Sequence, residues 1–507
     1  MNQAALSPVT WLAILPAILP LAAGALAIAL RGRLAMQRWF ALLVLLLELG
    51  LNIALLVHVR DHGIMSLTMG NWLPPFGISF TADMLGAVLA LAATFVSLAC
   101  CLYAFADIDE VATRFGFYPM LLVLVGGMNG AFLTGDIFNL YVWLEILLIS
   151  SFGLIILGGT RLQLDGAVKY AFLNLVATTL FLIATGLLYG AVGTLNFADL
   201  VAKAANYPHQ NLLSVIAALY LVALAMKAAA FPLFFWLPAS YHTPKFVASA
   251  LFAALLTKVG VYGIYRIFTA VFAGGMGFVP LTLTWAAGLT MLLGAAGAVA
   301  QHRMRPMLGF LVVAGIGYML LGFSLGTENA RAAGTFYMVQ SMLVMAGLYL
   351  LSGLVHGARK TVPTSGSSAS LYDDQIALAI LFLVLGFAVA GLPPFSGFWP
   401  KFALVRESLA QHLGWAAAAV LISGFLTTIA IARSFAATFW GGSHLSDDGE
   451  QPGPQTSFAT LTPILAIAAL VLVFGLLPGT LYGLADGAAR GIADYGPYVA
   501  AVLGAGP

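Results

Sequence analysis

The sequence predicts an all-α integral membrane fold of about fourteen transmembrane helices, and three observations carry that expectation. First, 62% of the 507 residues are hydrophobic and only 8% are charged, with a mean hydropathy of +1.00. Soluble domains hold about 25% charged residues. Second, apolar runs of about 20 residues follow one another from Val9 to Leu481, each long enough to cross a hydrocarbon core about 30 Å thick. Third, no segment alternates apolar and polar residues over about ten positions, as the strands of a membrane barrel do. A bilayer offers the backbone no hydrogen bonds, so helices remain.

The spans are expected at 9–30, 36–58, 79–105, 116–134, 137–158, 165–191, 210–238, 245–272, 279–299, 305–325, 330–356, 376–409, 414–439 and 457–481. The first is too long for the apolar region of a signal peptide and precedes further spans, so it reads as a retained helix. The second carries Glu48 in LLVLLLELGLNIALL, with Asn52 one turn on and a second subunit equally open as its partner. His58 and His62 have metal-ligand spacing, but they flank Asp61 at a membrane edge, which favours an interfacial role over zinc. Adjacent Cys100 and Cys101 lie in an apolar run, poor geometry for a bridge or a metal, so packing is expected. Asp136 heads the fifth span as an N-cap or as a carboxylate at the mouth of a path, and the cap is the plainer reading. In the sixth, Gly186 and Gly190 form a small-xxx-small pair that reads as close helix packing.

The seventh and twelfth spans are interrupted in similar fashion. KAAAFPLFFWLP contains Pro232 and Pro238, and GLPPFSGFWPK contains Pro393, Pro394 and Pro400. Proline removes a backbone donor, and lipid tolerates the freed carbonyls only where protein or water meets them. Two broken helices five spans apart are the layout of inverted repeats, with an ion site beside each break. The expected division is 1–115 for three N-terminal helices, 116–272 for a first five-helix repeat, 279–440 for a second, inverted one, and 441–507 for a loop, a last helix and a tail.

Short-loop basic residues set orientation. Arg31, Arg33, Arg38, Arg114, Arg161, Lys245, Arg303, Arg305, Arg359 and Lys360 fall on one side of such a fold. Arg60, Lys203 and Arg331 fall on the other, with Arg266 a further candidate. Both termini are therefore expected on the outer side of a cell (inner) membrane.

Four charges occupy runs that should hold none: Glu145 in FNLYVWLEILLISSFGLIIL, Lys227 in SVIAALYLVALAMKAAAFPLFFW, Lys258 in SALFAALLTKVGVYGIY, and Lys401 just past the second break. A lone charge at bilayer depth costs between about 3 and more than 10 kcal/mol. Such charges persist when paired, wetted or able to lose their charge, which suggests a route for protons or cations. Lysine can release its proton when desolvated, whereas arginine cannot at accessible pH. A static Glu145–Lys227 pair binding helices together is the plainer alternative, and it is costly glue in a bilayer. A snorkelling side chain is the alternative for the lysines, strongest for Lys401. His242, in LPASYHTPK, stands near an inner mouth, where it passes protons or serves as an ordinary loop histidine.

A net charge of +2 without a basic cluster excludes a nucleic-acid partner. No phosphate loop or dinucleotide fingerprint is present, so neither nucleotide hydrolysis nor hydride transfer is expected, and neither a cofactor nor a metal.

The run GDIFNLYVWLEILLISSFGL, followed by MKAAAFPLFFWLPASYHTP and LFAALLTKVGVYGIYR, resembles the D-type member of multisubunit Mrp-type cation/proton antiporters. That member is related to the antiporter-like membrane subunits of respiratory complex I and membrane-bound hydrogenases. The likeness covers roughly residues 70–440. It implies that Glu145 matches the family's essential helix-five glutamate, and that Lys227, Lys258 and Lys401 match the lysines of helices seven, eight and twelve. It also implies fourteen helices in two inverted five-helix repeats, with protonatable groups and water along the midplane. One departure stands out. Where many relatives carry a histidine and then a lysine in the eleventh helix, this chain has Gln340 and Met345. The central link must then run through water, Tyr337 or Ser341, or be missing.

The expected function is that of a non-enzymatic subunit of an Mrp-type antiporter. It would exchange Na⁺ or K⁺ for protons under the proton-motive force, beside subunits of A, B, C, E, F and G type. The alternatives are a pumping subunit of a complex I-like oxidoreductase or hydrogenase, and a structural subunit that has lost conduction.

Overall fold

The computed structural model describes residues 8–70, 72–272, 278–361, 371–440 and 453–504. The Lys360 side chain, one of the expected inner-face charges, lies outside that description, as does 441–452 of the expected loop. Among the described residues, 11 helices are long and apolar enough to cross a membrane, and Leu15–Ala29, Phe117–Leu133 and Ile376–Ala390 are shorter apolar helices. In chain order the principal helices are α1 (Leu15–Ala29), α2 (Leu34–His62), α3 (Met84–Asp107), α4 (Phe117–Leu133), α5 (Ile137–Ile155), α6 (Arg161–Val192), α7 (Gln210–Ala228) and α8 (Phe246–Ala270). They continue as α9 (Val279–Ala300), α10 (Met304–Ser324), α11 (Glu328–Thr361), α12 (Ile376–Ala390), α13 (Phe398–Ala410), α14 (Gly414–Trp440), α15 (Phe458–Leu476) and α16 (Pro478–Ala493).

Local chemistry sets the helix ends. Asp83 and Asp136 accept the amides of Gly86 and Asn139 at 2.9 Å each, so Asp136 is an N-cap. Thr160 and Gln163 form a capping box at the start of α6. The third span begins later than expected because residues 79–82 are used elsewhere. Strand β1 (Met65–Thr68) pairs antiparallel with β2 (Ser79–Ala82), Met65 opposite Ala82, and closes a short hairpin between α2 and α3.

Helix α11 is the hub. All of its most apolar window is buried, against 39% for α2, α6 and α15, so the latter three show apolar faces outward. Helices α3, α10, α12, α13, α15 and α16 pack on α11, as does a π-helical stretch of α8 at Phe252–Leu256.

Three expectations change. Arg266 does not lie in a loop: it is buried in α8, with Nη1 2.6 Å from Asp83 Oδ2 and Nη2 2.8 Å from Asp83 Oδ1. Two-point pairing suits guanidinium and carboxylate geometry. It joins the start of α3 to α8 and takes Arg266 out of the orientation argument. Arg305 is buried too, its guanidinium 4.5 Å from the Phe246 ring and 2.8 Å from Ser249 Oγ. Gly186 and Gly190 pack no described helix of this chain, because no described atom lies within 4 Å of a Cβ placed on either.

Removing one partner of a buried pair strands the other charge, at a cost of about 3–5 kcal/mol. Asp83→Ala is therefore expected to lower the thermal stability of the purified protein sharply. Asp83→Leu combined with Arg266→Met should recover most of that loss; a double variant as unstable as the single one would contradict the assignment.

Candidate functional site

Each broken helix ends on a left-handed residue. Helix α7 stops at Ala229, φ 59°, and α12 stops at Gly391, φ 83°. The carbonyls freed at these ends need donors at membrane depth, and each break finds them differently. At the first, Trp236 Nε1 donates to Met226 O at 3.0 Å, and the Phe231 amide donates to Thr290 Oγ1 of α9 at 2.9 Å. At the second, Lys401 Nζ donates to Val389 O and Ala390 O at 2.8 and 2.9 Å, and Gln340 Nε2 donates to Ala388 O at 3.2 Å. The Lys401 ammonium thus covers the negative end of α12. It also lies 4.5 Å from the Tyr318 ring centre, a cation–π contact.

Because Trp236 covers the end of α7, Lys227 is left free of that duty. Among the described residues, no hydrogen bond or ion pair holds its amine, although the residue is only 8% exposed. It lines a cavity of about 20 Å³ with Leu144, Leu148, Tyr170, Asn174 and Trp236. That volume admits a water, and the polar lining could hold one. The Tyr170 hydroxyl lies 2.6 Å from Ser151 Oγ, which extends the polar wall along α5. Lys227 feels the charge of Glu145, but no ion pair joins these two residues. The static pair weighed as the plainer alternative is therefore not formed.

Glu145 differs from its sequence picture. It is half-buried, not enclosed, and stands on the same stripe of α5 as exposed Phe138, Val142, Ile149 and Phe152. Tyr141, one turn back, stands beside its carboxylate. Lys258 is fully buried and donates to Ala253 O within the π-helical stretch at 2.7 Å. His242 sits on the turn before α8 with Nδ1 2.9 Å from Pro238 O, outside the lining of the Lys227 cavity. Around that turn, Lys245 pairs with Asp109 at 3.3 Å, and Asp107 accepts the Val247 amide at 2.9 Å.

Gln340 reaches the second break, where its amide donates to Ala388 O. Beside it on α11, the Tyr337 and Ser341 hydroxyls come within 3.5 and 3.7 Å of a Cβ placed on Gly315, and neither forms a hydrogen bond among the described residues. Asn174, Tyr170, Tyr318 and Ser423 escaped sequence reasoning. The Tyr318 hydroxyl donates to Ser423 Oγ at 3.0 Å. Their only signal was a polar atom in an apolar run, shared with many helix-packing residues.

Comparison with known proteins places the chain. Residues 134–427 match the family described as NADH:quinone oxidoreductase/Mrp antiporter, transmembrane. The chain is 36% identical over 495 residues to the D-type subunit of the Na⁺/H⁺ antiporter of Alkalihalophilus pseudofirmus, covering 97% of this chain and 99% of that one. It is 34% identical over 492 residues to the corresponding D-type subunit of Bacillus subtilis, with the same coverage. A chain of the Mrp complex from Dietzia sp. DQ12-45-1b superposes with a TM-score of 0.89 at 28% identity, over 98% of this chain and 100% of that one.

The two left-handed helix ends should respond oppositely to substitution. Ala229→Gly removes a left-handed penalty of about 1–2 kcal/mol and should raise the thermal stability of the purified protein. Gly391→Ala adds that penalty and places a Cβ 2.6 Å from Lys401 Cδ, so stability should fall. Shifts of the same sign would contradict the backbone assignment.

Proposed function

This chain belongs to the NADH:quinone oxidoreductase/Mrp antiporter family, and from that premise we propose a proton route along its buried amines. The protein is a multi-pass membrane subunit of a multisubunit Na⁺/H⁺ antiporter of Mrp type, and its partners are the other subunits of that complex. The 11 long helices and three shorter ones serve as fourteen spans. Those at 116–272 and 279–440 form two inverted repeats, between helices 1–115 and the segment 441–507. The matching left-handed ends of α7 and α12 support that pairing. With Arg266 withdrawn, the basic residues favour one face more strongly, which supports outward termini.

The observation that carries the route is the place of α11. One side of this buried helix meets the π-helical stretch whose Ala253 carbonyl accepts from Lys258, and others meet the α12 end and α13, which Lys401 joins. Protons pass from Lys227 through its water-sized cavity to Lys258, then by water and the Tyr337 and Ser341 hydroxyls to Lys401. Gln340 acts as a cap on this path and carries no proton. A neutral lysine keeps two N–H donors, so Lys401 holds both carbonyls of α12 with or without its charge. Only the Tyr318 contact registers the proton. The proton can therefore leave without orphaning the backbone.

Glu145 sets the direction. When Lys227 is protonated, attraction across the gap draws it toward the carboxylate; when the two separate, the amine gives its proton up. A membrane potential of 100 mV is worth about 2.3 kcal/mol per charge, comparable with about one to two pKa units, so the proton-motive force can drive exchange for Na⁺ or K⁺. A charged residue on an apolar outer stripe would face lipid in the isolated chain. A neighbouring subunit seated on α5 would cover it, placing Glu145 where the proton state of one subunit acts on the next. The alternative role in a respiratory oxidoreductase draws on the same family, but the relatives at 34% and 36% identity are antiporter subunits by name.

Glu145→Ala is expected to abolish Na⁺-dependent proton movement in vesicles containing the assembled complex, while subunit composition stays unchanged. Transport at the wild-type rate would overturn the proposal.

A further inference from the structure

We propose that Tyr318 of α10 is a positioning residue for the proton on Lys401: its ring face favours the charged amine, and its hydroxyl carries no proton. This rests on the route through Lys401 given above. Both side chains are buried, and the amine lies 4.5 Å from the Tyr318 ring centre. Among the described residues no carboxylate pairs with Lys401, and no charged side chain acts on it. A buried ammonium in that position needs another source of negative potential, and two are present. One is the end of α12, whose Val389 and Ala390 carbonyls accept from Nζ at 2.8 and 2.9 Å. The other is the negative face of the Tyr318 ring.

The stereochemistry of nitrogen separates these two. An ammonium has three N–H bonds. Two meet the carbonyls of α12, which leaves the third for the ring. A neutral amine keeps two N–H bonds and carries a lone pair in the third position. With both carbonyls still held, that lone pair faces the negative ring, and attraction turns to repulsion. The carbonyls therefore accept either form, whereas the ring tells them apart. For a desolvated contact the preference for the charged form is about tenfold to thirtyfold. A carboxylate in the same place would grip the ammonium and resist its release. A ring attracts it and still lets the proton go.

The hydroxyl is engaged elsewhere. Tyr318 donates to Ser423 Oγ of α14 at 3.0 Å, and Ser423 Oγ donates to Met291 O of α9 at 3.1 Å. That thread ends on a backbone carbonyl, which accepts a hydrogen bond and passes no proton on. Tyr337 of α11 packs against the ring, with centres 5.0 Å apart, so the ring is held from α11 and α14 at once. Around Lys401, α10 brings Tyr318 and α11 brings Tyr337 as titratable groups, while α12 brings carbonyls and α14 brings Ser423. The charges of α13 itself, Arg406 and Glu407, pair with each other at 3.2 Å further along the helix.

Phenylalanine at position 318, plain or with one, two or three ring fluorines, tests this in vesicles containing the assembled complex. Fluorine drains negative charge from the ring face and nearly keeps its shape. The readout is the pH at which Na⁺-dependent proton movement falls to half on the alkaline side. Tyr318→Phe is expected to leave that limb in place. The fluorinated rings are expected to move it stepwise toward acid, by about one unit in all. Ser423→Ala, which frees the hydroxyl and keeps the ring, should leave it unmoved. A limb that stays put across the fluorine series would overturn the ring's role, and so would loss of transport in assembled Tyr318→Phe. Lys401→Met tells this failure from failure of the route. It is expected to abolish transport, and transport there at the wild-type rate would overturn the route and the role of Tyr318 together.

Discussion

A helix cannot break inside a bilayer unless something bonds the carbonyls it frees, and much of this protein's arrangement follows from that rule. The two breaks obey it with different residues. Trp236 reaches back to Met226 O at the first, whereas Lys401 and Gln340 share the last three carbonyls of α12 at the second. The difference decides what each lysine is free to do. Lys227, relieved of capping, faces a cavity and the distant charge of Glu145. Lys401 is bound into the fold by its hydrogen bonds to the end of α12.

The buried charged groups follow two different arrangements. A tight buried pair gains Coulomb energy at the expense of hydration and then resists separation. Asp83 and Arg266 form such a pair and join α3 to α8 with two charged contacts. Glu145 and Lys227 do not. No direct contact joins them, and Glu145 stands on the outer stripe of α5 beside exposed apolar residues.

Legibility differed by residue. The broken helices were readable because proline and glycine in an apolar run have few other meanings. Lys227 and Lys258 were readable because a charge at mid-span is rare. Arg266 was misplaced because its partner, Asp83, lies 183 residues earlier, inside the stretch read as the third span. Gln340 looked like a missing link in a relay because its identity was legible while its acceptor, Ala388 O, was not. Gly186 and Gly190 carried a packing pattern that faces away from every other described helix of the chain.

The amino-acid sequence by itself determined the helical membrane class, the two breaks and the charges within apolar runs. These depend on composition and on spacing within one helix, where the cost of burying a charge or freeing a carbonyl is local. Only the tertiary structure decided which carbonyl each donor meets, that Glu145 looks outward, and that Asn129 of α4 reaches both Glu48 of α2 and Thr94 of α3. Those outcomes depend on helix rotation and neighbour choice, and apolar surfaces, which attract without direction, leave both open until the whole bundle is packed.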